Sequence, residues 1–385
     1  MSLVWPLIGA APWVILPPLA MLRIARSRSL DEEALTPTAV PPLVSVIVPA
    51  RNEARNVGRC VRSLLATQYP AFEVIVVDDH STDATAEMAR AVAPTDSRLT
   101  VLANTDLPNG WFGKQWACTN GAAVARGTLL LFTDADTEHA PDLLPRAVNA
   151  LLQSKADLLS VAGRQEMRSF WERVLQPQVF WMLLARYGGT DSVSRAQRPE
   201  DVIANGQFML LRRDAYEAVG GHEAVRDKVA EDLALAQLLH SRGYAVRLVR
   251  GDDQLSTHMY ASLSELVAGW GKNVYAGGID AMPGGALGKL IFPLVLPLVP
   301  LMSVIPVLAL LLVLSGAIGG GWAIWSSVCV GASLLWWALI YRGFHQNIAY
   351  AVLYPLGAAV LLYIIIGAIV RGRRVGWKGR EYVAR

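Results

Sequence analysis

The sequence predicts an α/β domain with a mostly parallel sheet and helices on both faces, flanked by transmembrane helices at both ends of the chain. Within residues 43–132, short apolar runs alternate with amphipathic segments, as strands and helices do in a parallel sheet. Of the 385 residues, 53% are hydrophobic and 17% are charged, and the mean hydropathy is +0.34. Soluble domains average about 25% charged residues, so part of this chain is expected in a membrane.

Four uncharged apolar stretches are candidates for membrane-spanning helices. Residues 4–22 are followed by three arginines, which favours a start-anchor helix over a cleaved signal peptide. Residues 291–315, 317–341 and 348–370 are each long enough to cross a bilayer.

These stretches divide the chain into five parts. We predict an N-terminal membrane anchor (1–28), a linker (29–42), a cytoplasmic domain (43–280), a transmembrane or interfacial region (281–370) and a basic cytoplasmic tail (371–385). The net charge is only +3, which does not indicate a large nucleic-acid-binding surface. Nothing in the sequence indicates the oligomeric state.

The predicted topology contains a conflict. Arginines after the first span place the domain in the cytoplasm, and the basic tail is expected there too. An even number of crossings must then follow the domain, whereas three candidates are present. Residues 291–315 contain four prolines, so we expect this segment to be partly interfacial or re-entrant.

Four buried strands and three helices are predicted in the first half of the domain. The strands are 43–48, 73–77, 99–102 and 128–132, and the helices are 56–65, one from about 83, and 115–125. No G-x-G-x-x-G follows the first strand, so the usual dinucleotide-binding motif is absent.

Acidic residues follow three of these strands. They are Glu53 after the first strand, Asp78 and Asp79 after the second, and Asp134 and Asp136 after the fourth. Ligands of open α/β sheets bind outside the carboxyl ends of the strands, so these acids are expected to converge on one crevice.

The Asp134 and Asp136 pair is spaced for a hard divalent cation. Mg²⁺ and Mn²⁺ prefer oxygen ligands and are often held by one or two carboxylates together with substrate phosphates. The pair therefore predicts a metal site for a phosphorylated ligand, in which the metal neutralises a departing diphosphate. Ser81 and Asp83 instead fit the capping of the next helix.

The sequence contains the three stretches "VSVIVPARNE", "VIVVDDHSTD" and "LLLFTDAD". Together they resemble the nucleotide-sugar half of family-2 glycosyltransferases, which have the Rossmann-like GT-A fold. Further along, "NGWFGKQWACTNGA" and "GWGKNVYAGG" resemble a narrower group, the membrane-anchored lipid glycosyltransferases similar to carotenoid (diaponeurosporenoate) and hopene-associated enzymes. The resemblance covers roughly residues 40–280.

The resemblance implies a UDP-sugar donor and a set of residues that bind it. Pro49, Arg51 and Glu53 would line the nucleotide pocket, and Asp78 would hold the uracil or ribose. Lys114 would meet the sugar or the diphosphate.

The resemblance also implies the groups that carry the chemistry. Asp134 and Asp136 match the metal-binding DxD motif, with Asp134 also facing the donor, and Asp232 in "AEDLALA" matches the general base. A single displacement would invert the anomeric centre. Glu231 and Asp232 also fit a helix N-terminus, where acids are favoured by the helix dipole.

The acceptor and two competing functions stay open at this stage. A hydroxyl or carboxyl of a hopanoid, carotenoid, sphingolipid or polyprenol would fit an enzyme anchored in a bacterial inner membrane. The Q-x-x-R-W motif of processive polysaccharide synthases is absent, because "LVAGWGKN" has Gly269 in place of the arginine. A nucleotidyl or phosphoryl transferase is the other alternative, although the chain lacks a Gly-rich phosphate loop.

Two further features have alternative interpretations. Aromatic residues in 170–187 have helical spacing, which fits core packing or an interfacial helix that admits a lipid. His258 follows a predicted strand and either reaches the metal or has no role in the site.

Overall fold

The computed structural model describes residues 4–25, 27–32, 40–280, 282–372, 374–378 and 380–383. The chain forms two compact units. The first, which we call the helical unit, comprises Met1–Arg26, Met167–Gly189 and Tyr260–Gly372. The second, which we call the sheet unit, comprises Ser27–Glu166, Thr190–Met259 and Arg373–Arg385.

The α-helices of both units are numbered along the chain. They are α1 Val4–Ile24, α2 Val57–Leu65, α3 Thr85–Val92, α4 Gly113–Val124, α5 Leu143–Gln153, α6 Phe170–Tyr187, α7 Thr190–Ser194, α8 Arg213–Ala218, α9 Glu231–Ser241, α10 Leu263–Lys272, α11 Gly278–Asp280, α12 Gly285–Val295, α13 Leu298–Leu314, α14 Gly321–Gly343 and α15 Tyr354–Arg371.

The described strands all belong to the sheet unit. They are β1 Val44–Ala50, β2 Phe72–Asp78, β3 Leu99–Ala103, β4 Leu129–Phe132, β5 Thr137–His139, β6 Leu158–Gln165, β7 Met209–Arg212, β8 Val246–Thr257, β9 Arg374–Trp377 and β10 Arg380–Val383. The first eight form one sheet in the order β3-β2-β1-β4-β7-β6-β8-β5, and β9 and β10 form an antiparallel hairpin.

One half of the sheet is parallel, as the sequence predicts. β1 lies between β2 and β4 and is parallel to both, and β2 is parallel to β3. The other half is mixed, because β7 runs antiparallel to both β4 and β6 and β5 runs antiparallel to β8. An apolar run indicates a buried strand but not its direction, which depends on how the chain connects.

Helices cover both faces of this sheet, as expected. Along β1, Val46 and Val48 join the core that includes α2 and α5, whereas Ile47 joins the core that includes α4 and α9. Successive side chains of a strand point to opposite faces, so one buried strand supplies both cores. Both layers hold the strand ends in fixed positions.

Four segments of the helical unit are long and apolar enough to cross a membrane. They are Val4–Ile24, Gly285–Leu314, Gly321–Gly343 and Ile348–Arg371, and each overlaps one of the predicted apolar stretches. The second segment consists of α12 and α13, which are interrupted at residues 296–297. Pro297 lies at this junction, where its missing N–H costs no helical hydrogen bond. That this segment is interfacial or re-entrant stays a prediction.

The aromatic helix α6 belongs to the helical unit. It begins at a capping box, in which the Ser169 hydroxyl accepts from the backbone N–H of Glu172 and the Glu172 carboxylate accepts from that of Ser169. The Gln178 side chain donates a 3.2 Å hydrogen bond to the backbone oxygen of Tyr354 in α15. The helix is therefore packed against an apolar helix of its own unit.

The predicted linker starts as an ordered segment of the sheet unit. Leu30 is fully buried in the core, and the backbone N–H of Arg250 donates to the backbone oxygen of Arg28 at 2.9 Å. The rest of this prediction, at residues 33–39, lies outside the described part of the chain.

Candidate active site

The loops that follow β1 and β2 are joined by hydrogen bonds. Arg51 Nη1 donates to the backbone oxygens of Asp79 at 2.5 Å and His80 at 2.9 Å. Asn52 has a φ of 53°, and its side-chain oxygen accepts from the backbone N–H of Thr82 at 2.8 Å. Asparagine tolerates this left-handed backbone better than most residues, so the first loop turns back over the second.

Pro49 and Asp78 lie at the ends of these neighbouring strands, in register with Val77 and Ala50 respectively. The Asp78 Oδ1 atom is buried and has no hydrogen-bond partner among the described residues. Leaving a buried polar atom without a partner is costly, and most such atoms in folded proteins are paired. Asp78 is therefore suited to accept an N–H or O–H group of a bound ligand.

Asp134 and Asp136 lie in the turn between β4 and β5. The Thr137 hydroxyl donates to the backbone oxygen of Asp134 at 2.7 Å, which fixes the turn. The Asp136 Oδ1 atom is buried without a partner in the described part of the protein. Burial, followed by the charges of Asp134 and Glu53, raises the pKa of the Asp136 carboxyl well above its ordinary value.

This donor set fits a divalent cation. Two clustered carboxylates, one with an unpartnered buried oxygen, provide hard oxygen ligands and excess negative charge. Within the described residues, no group of three or more His, Cys, Asp and Glu side chains is placed to hold a metal ion by itself. The remaining ligands would be water and phosphate oxygens, as is common for Mg²⁺.

His258 directly follows β8, whose last residue, Thr257, is paired with Thr137 of β5. Among the described residues, no group of three or more His, Cys, Asp and Glu side chains is placed to hold a metal ion. A metal-binding role for His258 therefore stays a prediction.

Lys114 connects the two acidic parts of the site. It lies in the first turn of α4, and its Nζ atom is 2.6 Å from both Asp134 Oδ1 and Glu231 Oε1. Burial opposes the charge on Lys114, but Asp134, Glu231 and Asp232 together hold its pKa well above the ordinary value. Lys114 is therefore a permanent cation within the site.

Asp232 lies in the first turn of α9. Its Oδ1 atom accepts from the backbone N–H of Leu233 and its Oδ2 atom from that of Gly206, both at 2.8 Å. Burial and the neighbouring Glu231 charge raise the pKa of Asp232 to about 6, against the lowering effect of Lys114 and the two N–H groups. This carboxylate is ionised at neutral pH and can accept a proton during a reaction.

Gly206 allows these groups to approach one another. A Cβ atom at this position would lie 3.0 Å from Asp232 Oδ2 and 3.3 Å from Lys114 Nζ. Sequence reasoning missed this residue, because a glycine between Asn205 and Gln207 also fits an ordinary turn. Asp134, Lys114, Glu231 and Asp232 form one continuous cluster through these contacts.

A buried histidine and two basic residues of the tail also lie near these groups. His222 is a core residue: burial lowers its pKa to about 4, and Nδ1 lies 3.0 Å from the Tyr216 hydroxyl. Lys378 and Arg380 of the tail contact Glu53 and Asp79 in the loops after β1 and β2. The sequence showed that these two residues are basic, but it did not show which acidic residues they contact.

The chain is similar to known proteins in both sequence and fold. The model of glycosyl transferase family 2 matches residues 45–220, which include the four strands of the parallel half except for the first residue of β1. The 4,4'-diaponeurosporenoate glycosyltransferase of Staphylococcus aureus (strain USA300) is 29% identical over 275 residues, covering 71% of this chain and 68% of that protein.

A solved structure shares the fold over almost the whole chain. It is the mannosyltransferase PcManGT from Pyrobaculum calidifontis in complex with GDP-Man and Mn²⁺. The TM-score is 0.59 at 22% sequence identity, and the alignment covers 96% of this chain and 98% of the other. The similarity extends beyond the matched domain to the apolar C-terminal region.

Proposed function

Starting from a glycosyltransferase family 2 domain at residues 45–220, we propose that this protein transfers one sugar from a UDP-sugar to a membrane lipid. The acceptor group is a hydroxyl or a carboxyl, and the reaction inverts the anomeric centre. The observation that carries the proposal is the cluster of Asp134, Lys114 and Asp232. Asp134 is a carboxylate suited to bind a metal, Lys114 is positively charged, and Asp232 can act as a base.

Each side chain has a separate task in the proposed reaction. With a hydroxyl acceptor, Asp232 takes the hydroxyl proton as the acceptor oxygen attacks the anomeric carbon. An acceptor carboxylate that is already ionised needs no base. Lys114 remains protonated and faces the developing charge of the leaving diphosphate. A divalent cation held by Asp134 and Asp136 would neutralise further charge on that group. PcManGT, solved with Mn²⁺, supports this choice of cofactor.

The proposed lipid acceptor fits the composition of the helical unit. Its four apolar segments tether the sheet unit on both sides of the sequence, which a water-soluble acceptor does not require. The Staphylococcus relative, named for 4,4'-diaponeurosporenoate, supports an apolar acceptor of the carotenoid type. Hopanoids, sphingolipids and polyprenols have the same combination of an apolar body and a polar end.

The nucleotide preference is tested by replacing Asp78. Asp78→Ala should weaken UDP binding by roughly 10-fold or more, because a hydrogen bond to a charged group contributes about 1.5–3 kcal/mol. Calorimetry with UDP and GDP measures this effect on the full-length protein. Asp253→Ala, at an exposed carboxylate of β8, is the matched control. The proposed donor would be contradicted if Asp78→Ala bound UDP with unchanged affinity. It would also be contradicted if the parent protein bound GDP more tightly than UDP.

The proposed topology places both the sheet unit and the tail in the cytoplasm. Residues 374–383 belong to the sheet unit, which supports an even number of crossings after the domain. We expect α14 and α15 to cross and the α12–α13 segment to return to the same face.

Cysteine labelling of whole cells with an impermeant maleimide tests this topology. We expect Gly343→Cys, at the C-terminal end of α14, to react in intact cells. Gly319→Cys, between α13 and α14, and Arg374→Cys in the tail should react only after permeabilisation. The reverse pattern for Gly319→Cys and Gly343→Cys would show three full crossings. The three native cysteines are buried and give a low background.

A further inference from the structure

The C-terminal hairpin, residues 374–378 and 380–383, contacts the loops that follow β1 and β2. Lys378 Nζ lies 2.8 Å from Glu53 Oε1, and Arg380 Nη1 lies 2.6 Å from Asp79 Oδ2. These carboxylates precede the hairpin by about 300 residues in the sequence. Two cations of one short hairpin thus meet two acids from adjacent loops.

The Arg380 contact satisfies a buried charge. The side chain of Asp79 is only 1% exposed, and its other carboxylate oxygen accepts from Asn104 Nδ2 at 3.0 Å. A carboxylate at this depth is costly unless it is paired and hydrogen-bonded. A residue of the tail therefore supplies the counter-charge that the loop after β2 needs.

A third contact joins the hairpin to the start of α4. The Tyr382 ring stacks on Phe112, with 4.3 Å between centroids and an angle of 18° between planes. The backbone N–H of Gly113 donates to the Tyr382 hydroxyl at 3.4 Å. Lys114 is the next residue, so the hairpin also borders the turn that carries the cation of the active site.

The hairpin borders the part of the site where the nucleotide is proposed to bind, but it does not fill that part. Its contacts go to the two loops and to the start of α4, at Arg51, Asn52, Glu53, Asp79, Phe112 and Gly113. The Asp78 Oδ1 and Asp136 Oδ1 atoms remain without partners among the described residues. A segment that blocked the site would be expected to satisfy these two buried atoms. The geometry therefore fits a wall that closes beside a ligand.

We infer that the C-terminal hairpin is the outer wall of the donor pocket and that Arg380 is the positioning residue that holds it there. Docking of the hairpin and binding of the nucleotide then stabilise each other, since each orders the same two loops. This inference rests on the proposed function, because it takes the ligand to be a nucleotide diphosphate.

Hydrogen exchange and calorimetry on the full-length protein in detergent test the inference. UDP with Mn²⁺ should slow exchange of the backbone amides in residues 374–383. Arg380→Gln should speed this exchange without ligand and weaken UDP binding on the order of 10-fold, within the usual range of coupling between sites. Arg380→Lys should recover part of both effects.

Arg374→Gln is the matched control. It removes the same charge from an exposed position on the other strand of the hairpin and should leave exchange and affinity unchanged. Lys378→Gln, at the more exposed of the two ion pairs, provides the same test if Arg380→Gln does not fold.

Three results would overturn the inference. The first is unchanged exchange in the hairpin when UDP is added. The second is equal UDP affinity in Arg380→Gln and Arg374→Gln. The third is faster exchange in the hairpin with UDP, which would identify it as a plug that the nucleotide displaces. Failure of the proposed function gives a different pattern. In that case no nucleotide binds to the parent protein, although Arg380→Gln still releases the hairpin, and only the coupling to a nucleotide is lost.

Discussion

Asp232→Asn is expected to lose about 10²- to 10⁴-fold in turnover while it binds the donor with unchanged affinity. The amide cannot accept the acceptor's proton, and loss of a positioned base typically has this magnitude. Its single amide oxygen can accept from only one of the backbone N–H groups of Gly206 and Leu233, so we expect a modest loss of stability with the fold retained. Single-turnover kinetics and UDP calorimetry on the same preparation separate the two effects.

Asp214→Asn is a matched control for a purely structural role of Asp232. Asp214 lies in the first turn of α8, and its Oδ1 atom accepts from the next backbone N–H at 2.9 Å, as Asp232 Oδ1 does in α9. If Asp232 acted only at the helix N-terminus, both variants would show similar losses of stability and little loss of turnover. That outcome would place the base elsewhere.

The pH dependence of turnover provides a second measure of Asp232 with a hydroxyl acceptor. A general base acts in its deprotonated form, so the rate should fall as pH drops through the pKa of about 6. Because the Glu231 charge contributes to this raised pKa, Glu231→Gln should move the acidic limb to lower pH. A limb that stays in place in Glu231→Gln would show that another group controls it.

Asp136→Ala is expected to reduce activity by at least about 100-fold, and excess EDTA should abolish activity of the parent protein. Both changes would remove the cation that is proposed to stabilise the departing diphosphate. Mg²⁺ or Mn²⁺ should restore the parent protein but not the variant. Without metal, the variant should be at least as stable to heat as the parent, because it loses a buried, unpartnered carboxylate oxygen.

Glu138→Ala is the control for this experiment. Glu138 is two residues further along, its side chain is 48% exposed, and it pairs with Arg59 at 3.3 Å. Removing it should leave metal-dependent activity within about two-fold, since surface ion pairs contribute little. The assignment of a metal site would be wrong if the parent protein kept full turnover in EDTA. It would also be wrong if Asp136→Ala had full turnover with the metal ion present.

The parallel half of the sheet and the acids at its edge were predictable because both depend on local patterns. A buried strand is visible as a short apolar run, and parallel strands joined by helices present their carboxyl ends together. This reasoning led to Asp78, Asp134 and Asp136 without knowledge of the other half of the sheet. The antiparallel direction of β7 was not visible, because it depends on a connection that carries no pattern of its own.

Contacts between distant parts of the sequence were beyond such reasoning. The N–H of Gly206 reaches Asp232 only because the loop before β7 meets the start of α9. Arg380 pairs with an aspartate that lies 301 positions earlier. In the sequence, the charge of the tail indicated only its side of the membrane, since the positive-inside rule considers charge without three-dimensional contacts.

Mass spectrometry of total lipids tests the central claim most directly. Cells expressing the full-length protein, the Asp232→Asn variant or an empty vector are compared in a strain supplied with candidate lipid acceptors. We predict a lipid whose mass increases by one sugar residue only with the active protein, and by no more than one. Three results would contradict the account. The lipid could gain several sugar units, or Asp232→Asn could give as much glycolipid as the active protein. The third result is that no new glycolipid forms while the purified protein releases diphosphate from nucleoside triphosphates.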